Sequence, residues 1–263
     1  MHTIGIAGHC LLGDSQGMKI SGMSRTTSED SAAEVDLLAR AIERDLGLDP
    51  SRWFSPRGYD SVALAVLDSI YSTGNRYTSV VNALDKYRVA RRAEGADPNS
   101  DTASDLVEAT DRWGGIDALV ANTNRCRTST KKTAPFKAEA AYHAARILAD
   151  HGLNTRAGVH VALIDPELQE GSPVKAAWRD LPGQSSLLTW TYFLMLCGVP
   201  GVKADRMVVA YVSRALGRPA DSKRSASLVG QVADRIAVNR TKLDHAIWRK
   251  ESNREVYLDG SSG

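Results

Sequence analysis

Apolar residues in this chain recur at helical spacing in one segment after another, and nowhere do they alternate with polar ones for long enough to demand a sheet. Ala33, Leu37, Leu38, Ala41 and Ile42 form one such face, closed by Gly47 and Pro50. A second, Val62 to Tyr71, stops at Ser72-Thr73-Gly74-Asn75 and resumes through Val80, Val81, Leu84 and Tyr87. Ala103 to Trp113 runs into Gly114-Gly115, the kind of glycine that ends a helix in a left-handed turn. Pro135 to His151, Leu187 to Cys197, Arg206 to Leu216 and Leu228 to Trp248 complete the set. Only Val159 to Ile164 is open to an extended reading. The chain is therefore expected to be all-α, with roughly eight to ten helices.

Residues 1–29 contain Gly, Ser, Thr and three Met without a sustained period, so they read as a leader expected to be disordered, with Met18 or Met23 able to serve as the start. Residues 30–263 then read as one domain. With 263 residues, 43% of them apolar, the chain is long enough for one large or two small cores. Thirty-three Lys and Arg against thirty-one Asp and Glu leave a formal charge of +2, so affinity for nucleic acid has to come from local basic patches. The three cysteines, Cys10, Cys126 and Cys197, are far apart and form no CxxC pair, which argues against a disulfide framework and a zinc site. Ile4 to Leu12 is too short and too interrupted for a signal or membrane segment, and the expectation is a cytoplasmic protein without a membrane partner.

The most informative stretch opens with Leu181-Pro182-Gly183-Gln184-Ser185-Ser186, continues as an apolar helix to Cys197, and leads through Gly198-Val199-Pro200-Gly201-Val202-Lys203-Ala204 to Asp205 and Arg206. A glycine turn that opens a helix presents backbone N–H groups with no intrahelical acceptor, and such groups bind phosphate without a cationic side chain. That is a sequence-independent way to hold a DNA backbone.

This stretch resembles the helix-hairpin-helix DNA glycosylases, the superfamily of endonuclease III, the mismatch adenine glycosylase and the alkylpurine glycosylases. Their hairpin reads LPG.G, and Asp205 follows Gly183 by 22 positions, as the catalytic Asp does in the endonuclease III pattern. The resemblance extends more faintly over residues 60–250. Asp60 to Tyr87 looks like the first core helix pair, whose loop carries the wedge that fills the gap left by an extruded base, here Asn75, Arg76 or Tyr77. Phe136-Lys137-Ala138-Glu139 looks like the start of the helix preceding the hairpin.

The resemblance implies a two-lobed helical fold with a central cleft, a hairpin at 181–197, and a monofunctional DNA glycosylase that removes a damaged or modified base from double-stranded DNA. Asp205 would be the catalytic carboxylate, and Pro182, Gly183, Gln184, Ser185, Ser186, Lys203 and Arg206 would contact DNA. The basic loop from Asn124 to Thr133 is longer than the family's usual connection, so Asn124, Arg125 and Arg127, with Lys137, are expected at the base pocket, and a hypermodified viral base is within its range. Ser185 replaces the hairpin's second glycine, and Leu187 stands where lyase-competent members carry a Schiff-base lysine. No cysteine follows Cys197, so the family's iron-sulfur loop is absent and neither cofactor nor metal is expected; the protein is expected to be a monomer.

Other readings of the same residues are plainer. Asp205 suits a helix N-cap as well as catalysis. His245 and Trp248 fit packing on an amphipathic helix, and at least two of Trp190, Tyr192 and Phe193 fit a core. His2, His9 and Cys10 are given no role, and Arg88 to Arg92 read as a solvated helix end or an extension of a DNA track. A non-catalytic DNA-binding protein and a base-modifying transferase are the alternatives from other functional classes.

Overall fold

The computed structural model describes residues 21–47 and 49–258, with side chains from residue 32 onward. Among these residues the chain is all-α: α1 (Ser21–Leu46), a 3-10 turn (Pro50–Arg52), α2 (Val62–Tyr71), α3 (Tyr77–Ala93), α4 (Ala103–Trp113), α5 (Ile116–Ala121), α6 (Lys137–Asp150), α7 (Arg156–Leu163), α8 (Pro166–Glu170), α9 (Pro173–Asp180), α10 (Leu188–Leu196), α11 (Arg206–Leu216), α12 (Ser222–Arg235) and α13 (Arg240–Glu251). Extended pairing is confined to two isolated antiparallel bridges, Trp53 with Tyr257 and Arg127 with Phe136. None of these helices is long and apolar enough to cross a membrane.

The helices bury two separate apolar clusters. The first gathers α2 to α7, α9 and α10; the second gathers α1 with α11, α12 and α13. The chain thus begins in the second cluster, crosses to the first at residues 47–61, and returns at residues 197–204. All ten residues of α2 are buried, which is how a helix apolar on every side has to be placed, and it packs against both α6 and α10. Trp178 stacks on Phe193, with ring centroids 5.1 Å apart, and meets Trp190 edge-on, so two of the three α10 aromatics belong to the core.

At the first crossing, Trp53 is fully buried and its indole N–H donates to the Leu46 carbonyl at 2.7 Å. Beyond it the backbone passes so close to the end of α10 that a Cβ on Gly58 would lie 2.2 Å from the Leu196 carbonyl oxygen. The neighbouring Tyr59 N–H donates to that same oxygen at 3.1 Å. Gly58→Ala is therefore expected to destabilise the protein by about 2–3 kcal/mol, read as a lower urea midpoint with an unchanged slope.

Several boundaries differ from those expected. Helix α1 begins at Ser21, inside the segment read as a leader; a helix fixed by its buried later turns extends through Ser, Arg, Thr and Glu, whose propensities lie within about 0.7 kcal/mol of Ala. Residues 1–20, including the His2, His9 and Cys10 group, lie outside the described residues. Val159 to Ile164 is not extended: Thr155 caps Gly158 N–H and starts α7. The segment 228–248 is two helices, broken where Ala237 takes a left-handed φ of 52° and Asn239 caps α13 through the Thr241 and Lys242 N–H groups. Four short helices, α5 and α7 to α9, raise the number above that expected.

The Arg88 to Arg92 run is not uniformly solvated. Arg91 is buried and pairs with Asp101, Nε at 2.8 Å and a terminal nitrogen at 2.9 Å, while Tyr87 Oη donates to the same carboxylate at 2.7 Å. This network ties α3 to the segment before α4, and the Asp101 carbonyl in turn accepts from Ser61 Oγ, the N-cap of α2. Removing one partner of such a buried pair strands the other charge, so Arg91→Met is expected to cost about 3 kcal/mol by urea unfolding.

Candidate active site

A cleft of about 640 Å³ opens between the two clusters. One wall comes from the first cluster: the loop Ser72 to Arg76 between α2 and α3, the start of α3, and Leu188 and Tyr192 of α10. The facing wall comes from the second: Lys203, Asp205, Arg206 and Met207 at the start of α11, Asp244, His245 and Trp248 of α13, and Ser252 and Arg254 after it.

Asp205 is held by the beginning of α11. Its Oδ1 accepts from Met207 N–H at 2.8 Å and from Val208 N–H at 3.3 Å, an N-cap that satisfies two otherwise unpaired helix donors. Both bonds fall on one oxygen. Among the described residues nothing donates to Oδ2, so the capping role leaves the other half of the carboxylate free for chemistry, and the positive end of the helix dipole favours its negative charge.

Around Asp205 lie polar groups that burial has shifted from their ordinary behaviour. Lys203 donates from Nζ to Ser72 Oγ at 3.0 Å across the cleft and sits 3.7 Å from the Tyr192 ring centroid. Burial lowers its pKa, and the carboxyl groups of Asp205, Asp68 and Asp244 pull it back up. Asp244 is only 6% exposed, and its Oδ1 is buried without a hydrogen-bond partner. Burial first and the Asp205 charge second push its carboxyl well above the usual range, with Lys203 opposing. Asp68 of α2, behind the same wall, accepts from Tyr59 Oη at 2.8 Å through Oδ2, while its Oδ1 is unpartnered; burial raises it too.

The remaining lining is aromatic and cationic. Tyr77 and Trp248 face each other edge to face, with centroids 6.0 Å apart, and the Arg254 guanidinium lies over both rings, at 5.3 and 5.1 Å. His245 stacks against Trp248, and burial together with Arg249 and Arg254 draws its pKa down to about 4, which keeps the imidazole neutral near pH 7. Arg76, Arg206 and Arg254 are exposed, and among the described residues none of them forms an ion pair. No group of three or more His, Cys, Asp or Glu side chains among the described residues is placed to hold a metal ion.

Of the residues singled out from the sequence, Asn75, Arg76, Tyr77, Lys203, Asp205 and Arg206 meet at this cleft. The turn of the hairpin lies beside it and leads into α10, whose first residue, Leu188, lines it. Within the hairpin, Pro182, Gly183, Ser185 and Ser186 differ in role from Gln184, which is buried. The Gln184 side chain accepts from Thr189 Oγ1 at 2.5 Å and donates to the Pro182 carbonyl at 3.0 Å, so it pegs the turn from inside and does not face a ligand. Gly183 has φ 76°, and a Cβ there would lie 2.9 Å from Thr128 Cβ. The exposed N–H groups of Gly183, Ser185 and Ser186 have no acceptor among the described residues. Leu187, the N-cap of α10, takes a left-handed φ of 58°, a strained conformation for a branched side chain at the edge of the cleft.

Asn124, Arg125, Arg127 and Lys137 do not line the cleft. The basic loop folds back on itself through Thr128 N–H to the Pro135 carbonyl, at 3.0 Å, and Lys137 N–H to the Cys126 carbonyl, at 2.8 Å. Arg125 and Arg127 lie over the Phe136 ring at 5.6 and 4.2 Å, and Asn124 accepts from Cys126 N–H at 2.9 Å. Lys137 is 3% exposed and donates to the Tyr71 carbonyl at 3.2 Å and to both Thr73 oxygens, so it braces the loop that forms the cleft wall from behind. Packing is the reason: Arg125 and Arg127 lie over their own aromatic, and Lys137 acts on the cleft only through the backbone it holds.

Asp244, His245, Trp248 and Arg254 are among the cleft residues that the sequence left unmarked or that were assigned to packing. One signal was available, since Asp244 sits between Leu243 and Ile247 on the buried face of α13, where an acid is out of place unless it has a task.

The family described as Domain of unknown function (DUF8548) matches residues 36–252, a span that holds every cleft residue except Arg254. No curated protein and no solved structure matches the chain.

Proposed function

The chain belongs to the DUF8548 family, and we propose that it is a monofunctional DNA glycosylase of the helix-hairpin-helix kind, its two helical clusters acting as the two lobes and the cleft between them receiving a base extruded from duplex DNA. The observation that carries the proposal is Asp205, fixed by its own helix with one carboxylate oxygen unclaimed, in a cleft that the hairpin borders.

The chemistry follows from the parts. Breaking an N-glycosidic bond develops positive charge on the sugar, and a carboxylate held beneath C1′ lowers the energy of that state and orients a water for attack. The free N–H groups of Gly183, Ser185 and Ser186 offer a phosphate grip, and exposed Arg76, Arg206 and Arg254 supply positive charge at the cleft although the net charge of the whole chain is only +2. Contact between Gly183 and Thr128 places the basic loop, with Arg125, Lys131 and Lys132 exposed, alongside the hairpin, where it extends the phosphate track. The loop Asn75 to Tyr77 stands across the cleft from Asp205, where a wedge would enter the vacated stack. Tyr77, Trp248 and neutral His245 provide ring faces on which an extruded base can stack.

Duplex DNA carrying varied lesions or modifications, incubated with the protein, is expected to acquire breaks only after alkali treatment, the mark of abasic sites made without strand cleavage. Tight binding without alkali-labile sites would instead favour a DNA-binding protein.

A further inference from the structure

We propose that Asp244 is the proton donor to the departing base, and that the bases released in this cleft are uncharged ones. This rests on the glycosylase reading and deepens it, because it assigns the second carboxyl group of the cleft a role different from that of Asp205.

Two carboxyl groups share this site in contrasting surroundings. Asp205 has two backbone donors and the start of a helix, which favour a carboxylate. Asp244 has the opposite setting: it is nine-tenths buried, one of its oxygens has no donor, and a negative charge already stands beside it on Asp205. A buried carboxyl with one oxygen unpartnered is tolerable as the neutral acid and costly as the anion, so burial outweighs the Lys203 backbone N–H and holds the proton on Asp244. The titratable and charged groups around Asp244 are Asp205 and Lys203 on the segment into α11, Tyr192 on α10, its neighbour His245, and Arg206 and Arg254 along the cleft. Lys203 pulls the other way through its backbone N–H and its charge, the amine being shared with Ser72 and the Tyr192 ring, and burial with the Asp205 charge outweighs it.

In the step itself the C1′–N bond breaks and its electron pair goes to the base, which takes the Asp244 proton on a ring nitrogen or carbonyl oxygen. The cationic sugar faces the Asp205 carboxylate. Water then adds to C1′ and gives its proton to Asp205, and exchange with solvent returns a proton to Asp244 and removes one from Asp205. The sum is glycoside plus water to free base plus sugar hydroxyl. A base already cationic through alkylation leaves as a neutral molecule and needs no acid. A resident proton donor is of use only when the leaving base is uncharged, and that defines the substrate class.

The test compares wild type with Asp244→Asn on three probes: plasmid DNA methylated with dimethyl sulfate, a duplex containing hypoxanthine, and viral DNA with glucosylated hydroxymethylcytosine. Single-turnover base release is followed by mass analysis from mildly acidic to mildly alkaline pH. Wild type is expected to release an uncharged base at a rate that falls as pH rises. Asp244→Asn is expected to slow that release by about 100-fold and to lose the alkaline decline, while binding DNA as wild type does. Because folding would no longer bury a group that must hold its proton, its melting temperature is expected to equal or exceed that of wild type at neutral pH. Release of methylated purines alone, an unchanged rate and profile for Asp244→Asn, or a lower melting temperature would each overturn the assignment of Asp244 and leave Asp205 untouched. No release of any base by wild type would overturn the glycosylase reading and this role with it.

Discussion

Asp205→Asn is expected to reduce base release by about 1,000-fold or more while leaving the fold and its stability nearly unchanged. Asn caps a helix about as well as Asp, and its side-chain oxygen can still accept from the Met207 and Val208 N–H groups, so α11 keeps its start. What it loses is the negative charge opposite the developing sugar cation. Asp205→Ala separates the two roles from the other side: it is expected to lose the activity and, in addition, about 1 kcal/mol of stability with the cap. Urea unfolding of both variants beside their release rates makes the comparison. If Asn retained most of the rate, Asp205 would be a cap and nothing more.

The second large effect is expected at a residue that does not line the cleft. The Lys137 ammonium has three N–H donors and three oxygen neighbours, the Tyr71 carbonyl and the two Thr73 oxygens, in a site almost without solvent. Lys137→Met fills similar space but leaves the Thr73 carbonyl without that donor, at a cost of about 2–4 kcal/mol. The effect on activity is expected to be larger than this loss of stability implies, since the loosened loop carries Ser72, which anchors Lys203, and then Asn75, Arg76 and Tyr77.

Lys137 also writes a signature in pH. Burial draws its amine down to about 8, whereas a solvated lysine titrates near roughly 10.4. Between those values the unfolded chain binds more protons than the folded one, so stability contributed by this group rises with pH across that interval. Lys137→Met is expected to remove the rise, and chemical unfolding at a series of alkaline pH values reads it directly.

These expectations show which parts of the molecule were open to reading from sequence. The start of α11 at Arg206 and the end of α4 at Gly114 were visible because caps are local chemistry: an Asp that bonds the next N–H groups, and a glycine that takes φ 104°. Asp205 was singled out by its distance of 22 positions from Gly183, the spacing on which the proposed resemblance rests, although Ser185 stands where that pattern has a glycine. The short helices α7 to α9 were missed because eight residues or fewer hold too few turns for a period to emerge, and their capping residues, Thr155 and Asp165, look like ordinary loop residues.

The basic loop was misplaced for a different reason. A run of cations predicts affinity for phosphate but says nothing of direction, and here Phe136 and backbone carbonyls claim Arg127 and Lys137 before any ligand does. Asp244 was overlooked because its importance is relational. Along α13 its place between Leu243 and Ile247 marks it as an acid on an apolar face, but its pairing with Asp205 exists only once the fold brings the two together.

The proposed glycosylase activity is tested most directly by what DNA releases when the protein acts on it. Wild-type protein and its Asp205→Asn form, incubated with genomic DNAs carrying varied lesions and modifications, are compared by mass analysis of the released bases and by counting abasic sites. The account predicts a free base, matched by abasic sites, from the wild type and neither from the variant. Equal release from both, or DNA bound tightly by both with no base released from any source, would contradict it.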